Sequence, residues 1–200
     1  MPIGYFDMFA GIGGFRSALE AIGGFECVGY CEIDKYARQA YEAMYDTRGE
    51  LFFEDATKIV PEQLPDIDLI CGGFPCQSFS IAGARKGFDD TRGTLFFEIA
   101  RIAAVKRPEF LLLENVFGIL NHDKGKTFET ILSALDGLGY SVAWQVLNSK
   151  NFKVPQSRNR VYIVGCLGEK CRGEVLSFTQ ASAETPVQRK LYAGREGLLG

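Results

Sequence analysis

The chain has one histidine, one tryptophan and three methionines in 200 residues, and none of its six cysteines form a CxxC pair. With His122 the sole imidazole and cysteines at 27, 31, 71, 76, 166 and 171, a zinc site is not expected. Neither is a disulfide framework, because such frameworks belong to small secreted chains. No apolar run approaches the roughly 20 residues needed to span a bilayer. No signal peptide precedes the first strand, so a cytoplasmic setting without a membrane partner is expected. Excess positive charge is also lacking: the net charge of -3 gives no electrostatic sign of a nucleic-acid partner, so a basic surface for one must be local or lie on another segment. There are no internal repeats or low-complexity tracts. What is present, 46% hydrophobic and 24% charged residues, suits one soluble α/β domain with a real core.

Along the chain, apolar runs alternate with helical periodicity. Strands are expected at residues 3–9, 26–31, 51–53, 69–71, 110–113, 142–147 and 161–166. Amphipathic helices are expected from about 15 to 22, from 35 to 45 behind Asp34, behind Thr94, and around Phe128, Ile131, Leu132, Leu135 and Leu138. This order predicts a Rossmann-like α/β fold, a mostly parallel sheet with helices on both faces. Residues 81–93 are polar and glycine-rich and suit a lid. Residues 1–170 form the expected domain, and 171–200 are weakly patterned, as a tail or linker.

Four places carry chemistry. Gly72-Gly73-Phe74-Pro75-Cys76-Gln77-Ser78 follows an apolar strand. Pro75 fixes its own φ and biases Phe74 toward extended geometry, so the Cys76 thiol leaves the strand end on a stiff turn. Strand ends are where open α/β sheets bind ligands, and a thiol aimed there suggests a nucleophile rather than a small core residue. Asp7-Met8-Phe9-Ala10-Gly11-Ile12-Gly13-Gly14 is a strand with a glycine turn, and Glu32 ends the next strand where a ribose-binding acid stands. The spacing Gly-x-Gly-Gly differs from a pyrophosphate cradle and favours a nucleoside without phosphates, of which S-adenosylmethionine is the common one. Glu114-Asn115-Val116 ends another strand, on the expected rim of Cys76 and Glu32. A carboxyl beside a thiolate there has a raised pKa and suits a general acid. Finally, Gln156-Ser157-Arg158-Asn159-Arg160 places two arginines at i and i+2, which point the same way on an extended segment and can grip a phosphate or a base carbonyl.

Together with Asp55, Ser80 and Arg92-Gly93-Thr94-Leu95-Phe96, these motifs resemble the catalytic domain of the bacterial-type DNA (cytosine-5) methyltransferases, in the family's order, over about residues 4–166. The resemblance implies S-adenosylmethionine as cofactor, S-adenosylhomocysteine as product, no metal, and double-stranded DNA as partner. It implies a cofactor pocket of Phe9, Ala10, Gly11, Ile12, Gly13, Gly14, Glu32, Ile33, Asp55, Ala56, Gly73, Pro75 and Leu95. Within it Phe9 packs on the adenine, residues 10–14 surround the methionine end, Glu32 holds the ribose, and Asp55 meets the adenine amino group. Cys76 attacks carbon-6 of a flipped cytosine, Glu114 donates to ring nitrogen 3 and the exocyclic amine, Arg160 contacts the base carbonyl, and Arg158 supports it. Phe74, Gln77, Ser80 and Asn115 fall in the substrate-binding segments. Ile33 stands where the family often has an aromatic residue.

The family continues into a target-recognition domain that is not visible in these 200 residues. The expectation is a truncated chain, a fragment, or one subunit of a split enzyme whose complementary chain reads the DNA. A transfer-RNA cytosine-5 methyltransferase would share the catalytic set, but its usual Pro-Pro-Cys is replaced by Phe74-Pro75-Cys76. A nucleotide-binding oxidoreductase and a non-catalytic subunit are the readings from other classes.

Overall fold

The computed structural model describes residues 1–75 and 95–168. Seven strands form one sheet in the order β3-β2-β1-β4-β5-β7-β6. They are β1 (Ile3–Met8), β2 (Phe25–Cys31), β3 (Leu51–Phe53), β4 (Leu69–Gly73), β5 (Phe110–Val116), β6 (Tyr140–Asn148) and β7 (Asn159–Leu167). Among the described residues four α-helices accompany them: α1 (Gly14–Ile22), α2 (Lys35–Met44), α3 (Leu95–Lys106) and α4 (Lys126–Gly137). By packing, the chain divides into two units, Met1–Leu113 and Glu114–Gly200.

In the first unit β1 pairs in parallel with β2 and β4, and β2 with β3. Leu69, Ile70, Cys71 and Gly72 are all buried, as expected of a strand with neighbours on both sides and cover on both faces. Alternation along β1 and β4 sends Tyr5, Leu69 and Cys71 to a cluster under Leu19 of α1. Phe6, on the other phase of β1, meets Phe53 edge-on at 5.9 Å. The register shifts between Tyr5 and Phe6, which pair with Cys27 and Gly29. β4 passes close to β1: a Cβ on Gly72 would lie 2.4 Å from the Met8 carbonyl oxygen, so only glycine fits one residue before the Gly73-Phe74-Pro75 exit. Helix α3 buries Phe96, Ile99, Ala100, Ile102 and Ala103 at helical spacing, whereas Leu95 is only half-buried.

In the second unit β6 and β7 are antiparallel, from Tyr140 opposite Leu167 to Asn148 opposite Asn159. The ten residues joining them are too few for a helical crossover, so the chain folds straight back. Helix α4 buries Phe128, Ile131, Leu132 and Leu135, and Phe128 meets Trp144 of β6 at 5.1 Å.

Element by element the expected pattern is present with shifted ends. β5 extends to Val116, so Glu114 and Asn115 lie within the strand instead of following it. Cys27, Cys31 and Cys71 are free thiols. Cys76, Gln77 and Ser80, the proposed lid at 81–93, the Thr94 cap and the tail from 171 lie outside the described residues.

Candidate active site

The first unit builds the glycine turn from an irregular backbone. Phe9, immediately after β1, has φ of 55°, a left-handed conformation that costs a bulky residue energy and concentrates at functional sites. Gly11 and Gly13 follow at φ of 57° and 87°. Few backbone bonds hold this path: Ala10 N–H donates to the Cys31 carbonyl at 3.0 Å, and Gly13 N–H to the Ala10 carbonyl at 2.8 Å.

Glu32 completes it. Its backbone N–H donates to the Phe53 carbonyl at 3.1 Å, which places the side chain at the β2 end. One carboxylate oxygen accepts the Gly11 N–H and the other the Asp34 N–H, both at 2.7 Å. Glu32 is therefore oriented by the backbone it orients. Each oxygen retains lone-pair capacity for a ligand hydroxyl. Asp34 in turn caps α2, accepting from Tyr36 and Ala37 N–H groups at 2.9 and 2.8 Å.

Gly13 is the N-cap of α1, which has no side-chain cap and no acidic residue in its first turn. The first-turn N–H groups and the positive end of the helix dipole are thus left to an anionic partner. A Cβ built on Gly11 or Gly14 meets nothing within 4 Å, so the turn borders open space. A donor set of this kind fits the carboxylate end of an amino acid, with Glu32 suited to ribose hydroxyls. S-adenosylmethionine carries both groups.

The flanking candidates differ in character. Ile12 and Ile33 are 60% and 70% exposed, which leaves their apolar surfaces open to a ligand. Asp55 caps a short 3₁₀ turn, with one oxygen accepting from Thr57 N–H at 3.0 Å and Thr57 Oγ1 at 2.7 Å, and the other facing Lys58 Nζ at 3.4 Å. Those bonds hold its carboxyl below the usual range, keeping it an acceptor. Ala56 is buried, and its carbonyl accepts from Arg101 of α3 at 3.1 Å, as the Ile59 carbonyl does at 2.8 Å. Gly73 is half-buried and Pro75 exposed at the exit of β4, while Phe74 is buried with its ring 5.4 Å from that of Phe96. Phe74 therefore anchors the segment leading to Cys76 instead of facing solvent.

Sequence reading assigned no role to the charges beneath the turn. Asp7 is buried inside β1, with its carboxylate oxygens 3.5 Å from Cys71 Sγ and 3.3 Å from Tyr41 Oη. Burial pushes its pKa up to about 7, against the opposing pull of those two bonds and Arg16. A lone acid in the apolar strand 3–8 was the available signal. The described thiols are poor nucleophiles: burial pushes Cys27 and Cys31 up to about 12 and Cys71 well above its ordinary value.

In the second unit Glu114 is half-buried and ion-paired to Arg160 through Oε1 and Nε. Burial raises its pKa, and Arg160 and then Arg158 pull against that rise. Arg160 also donates to the Asn159 carbonyl at 2.9 Å. Asn115 is buried, and its Oδ1 accepts the Val116 N–H at 2.8 Å. The turn ahead of the arginines is stitched by Asn148, which donates to Ser157 Oγ at 3.1 Å and Asn159 Oδ1 at 2.7 Å. Tyr162 was missed by the sequence reading. It stands two residues beyond Arg160 on the same face of β7, and its pKa is raised by burial and then by Glu114. Among the described residues no group of three or more His, Cys, Asp or Glu side chains could hold a metal, and no helix is long and apolar enough to cross a membrane.

Residues 3–193 match the family model for C-5 cytosine-specific DNA methylase. The orphan methyltransferase M.SPRI of Bacillus phage SPR is 48% identical over 173 residues, covering 86% of this chain and 39% of that protein. The type II methyltransferase M.HpaII of Haemophilus parainfluenzae is 49% identical over 165 residues, covering 80% of this chain and 45% of the relative. The chain thus spans less than half the length of either. The crystal structure of the S. pombe Dnmt2 methyltransferase superposes with a TM-score of 0.68 at 24% identity, covering 85% of this chain and 51% of that one, a likeness of fold alone. On its family match and its identity to these relatives, the chain belongs to the C-5 cytosine-specific DNA methylase family.

Proposed function

We propose that this chain is the catalytic, cofactor-binding part of a DNA cytosine-5 methyltransferase, acting on double-stranded DNA in a bacterial or phage-infected cytoplasm. The single observation that carries the reading is the Glu32 carboxylate locked against the glycine turn beside an uncapped α1 N-terminus, within a chain whose family match spans residues 3–193. The relatives M.SPRI and M.HpaII are named methyltransferases from a phage and a bacterium, which supports a modification role. Residues 1–170 are the catalytic domain in this reading, and 171–200 lead toward a target-recognition segment, in cis or on a complementary chain.

Residues 10–14 and the first turn of α1 hold the amino-acid end of S-adenosylmethionine, Glu32 the ribose, and Phe9, Ile33, Asp55 and Ala56 the adenine, with Gly73, Pro75 and Leu95 bordering the pocket. When bound, the cofactor supplies an electrophilic methyl group. An aromatic carbon with no leaving group must be activated covalently. The Cys76 thiolate attacks carbon-6 of a cytosine extruded from the duplex, at an unstacking cost of a few kcal/mol. Protonated Glu114 donates to ring nitrogen 3, so negative charge does not accumulate on the ring, and carbon-5 becomes nucleophilic. Its raised pKa favours the protonated form this step needs. Arg160 orients Glu114 and reaches the base carbonyl, and Arg158 supports the approach. Once carbon-5 is methylated, loss of its proton expels Cys76. Phe74, Gln77, Ser80 and Asn115 shape the base site.

The test is covalent trapping on duplex DNA carrying 5-fluorocytosine, in the presence of S-adenosylmethionine and with the target-recognition segment supplied in cis or as a complementary chain, because fluorine blocks the last elimination. Trapping is irreversible, so adduct accumulates even at slow turnover. The wild-type adduct should map to Cys76, not to Cys27 or Cys71. An adduct retained by Cys76→Ser, or mapped to another thiol, refutes the mechanism.

A further inference from the structure

We propose that Tyr45 is a positioning residue for the amino-acid end of the cofactor: its hydroxyl, through Gly13, fixes the backbone of the glycine turn against which that end lies. The inference rests on the S-adenosylmethionine reading of the first unit. Three of the five residues from Phe9 to Gly13 are left-handed, so this turn has no ladder of its own to hold it. Its upstream end is held at Gly11 N–H by Glu32. Its downstream end is held at the Gly13 carbonyl, which accepts the Tyr45 hydroxyl at 2.9 Å as well as the Ser17 N–H at 2.9 Å.

The ring is fitted to the turn as closely as the hydroxyl. A Cβ on Gly13 would lie 2.3 Å from Tyr45 Cε2, so the missing side chain makes room for this ring. The Arg16 guanidinium lies over the Tyr45 ring at 4.7 Å. Arg16 is itself immobilised: it is 4% exposed and donates to both Glu50 oxygens at 2.8 and 2.9 Å, to Glu20 at 2.8 Å and to the Asp46 carbonyl at 3.0 Å. Tyr45 closes α2, its N–H donating to the Tyr41 carbonyl at 3.0 Å, and Arg16 lies in the first turn of α1. Tyr45 thus ties the end of one helix to the start of the other at Gly13.

The consequence is directional. Gly13 precedes the uncapped N–H groups of α1, and the tilt of its carbonyl sets the peptide plane whose other side is the Gly14 N–H. Removing the hydroxyl leaves the Gly13 carbonyl with the Ser17 bond alone and lets that plane rock. Ligands that place a carboxylate against this helix end lose affinity, whereas ligands that stop at the thioether do not.

The experiment is calorimetry on the 200-residue chain with S-adenosylhomocysteine and with 5′-methylthioadenosine, which lacks the amino-acid end. Tyr45→Phe keeps the ring and the Arg16 stack and removes only the hydroxyl. Tyr30→Phe is the control, since it removes a hydroxyl bond of the same length, 2.9 Å to Glu42, that does not touch the turn. Tyr45→Phe should bind S-adenosylhomocysteine about two- to tenfold more weakly, the worth of one hydrogen bond, with methylthioadenosine unchanged. Tyr30→Phe should match wild type for both, with the two variants melting at similar temperatures. Wild-type affinity of Tyr45→Phe for S-adenosylhomocysteine, or equal loss for both ligands, overturns the positioning role and leaves the cofactor reading standing. Failure of wild-type protein to bind S-adenosylhomocysteine overturns the cofactor reading and the positioning role with it.

Discussion

Replacing Asp7 by Asn should remove a pH dependence of stability that has one identifiable source. The Asp7 carboxyl is 1% exposed, and its bonds to Cys71 Sγ and Tyr41 Oη are long, at 3.5 and 3.3 Å. Arg16 is the nearby cation, but Glu50 and Glu20 already engage it. Burial therefore dominates and carries the pKa from 3.8 to about 7, with Glu32 adding to the rise and Arg16 only partly opposing it. The sign follows from the two states. Below about pH 4 the carboxyl is protonated both folded and unfolded and imposes no penalty. Between about pH 4 and pH 7 the unfolded chain releases the proton first, so stability falls as pH rises, and above about pH 7 the slope vanishes. At about 1.4 kcal/mol for each tenfold difference in proton affinity, the ceiling on the loss is about 4 kcal/mol. Asparagine keeps a donor and an acceptor in the same place and cannot ionise. Urea denaturation of wild type and Asp7→Asn from pH 4.5 to pH 8.5 should show the difference in unfolding free energy growing in favour of the variant, by a few kcal/mol in all. A difference that is flat over that range would refute the assignment of the buried charge to Asp7.

Other outcomes follow from the same geometry. Glu32→Ala removes the acceptors of two backbone N–H groups as well as the ribose contact, and should weaken S-adenosylhomocysteine by at least the roughly 1.5–3 kcal/mol of bonds to a charged group. Calorimetry decides this, and unchanged affinity counts against the pocket. If protonated Glu114 is the acid, trapping on 5-fluorocytosine DNA should slow as pH rises through its raised pKa. Because Arg160 pulls that pKa down, Arg160→Ala should move the alkaline limb to higher pH even as it lowers the rate, and a limb that stays in place would argue that another group titrates.

Local chemistry was largely legible in the sequence, because its signals are short-ranged. Asp34 was read as a cap, and it accepts the two N–H groups that open α2. The pairing of a glycine turn with an acid about 20 residues on was read as one site, and the Gly11–Glu32 hydrogen bond at 2.7 Å joins them. Apolar periodicity located the strands and helices because burial on one face must repeat with the pitch of the element. The ends were less legible: β5 runs through Glu114 and Asn115 to Val116, since pairing with a neighbour, rather than apolarity, decides where a strand stops.

Tertiary structure alone decided what crosses between elements. Arg16 lies on α1, yet it is buried beneath Tyr41 and Tyr45 among two acids and a carbonyl, from residues up to 34 positions away. Asp7 sits in the same strand as the motif but titrates near neutrality because of what packs over it. The Arg158 and Arg160 pair was read as a clamp for a ligand, and the fold turns Arg160 onto Glu114, which sets the acid strength of one by the charge of the other. The sequence by itself determined the family and the order of the elements, because those depend on residue type and spacing. Which charges are buried, which carboxyl keeps its proton and which tyrosine braces the turn depend on distances between residues remote in the chain, and only the folded structure sets those.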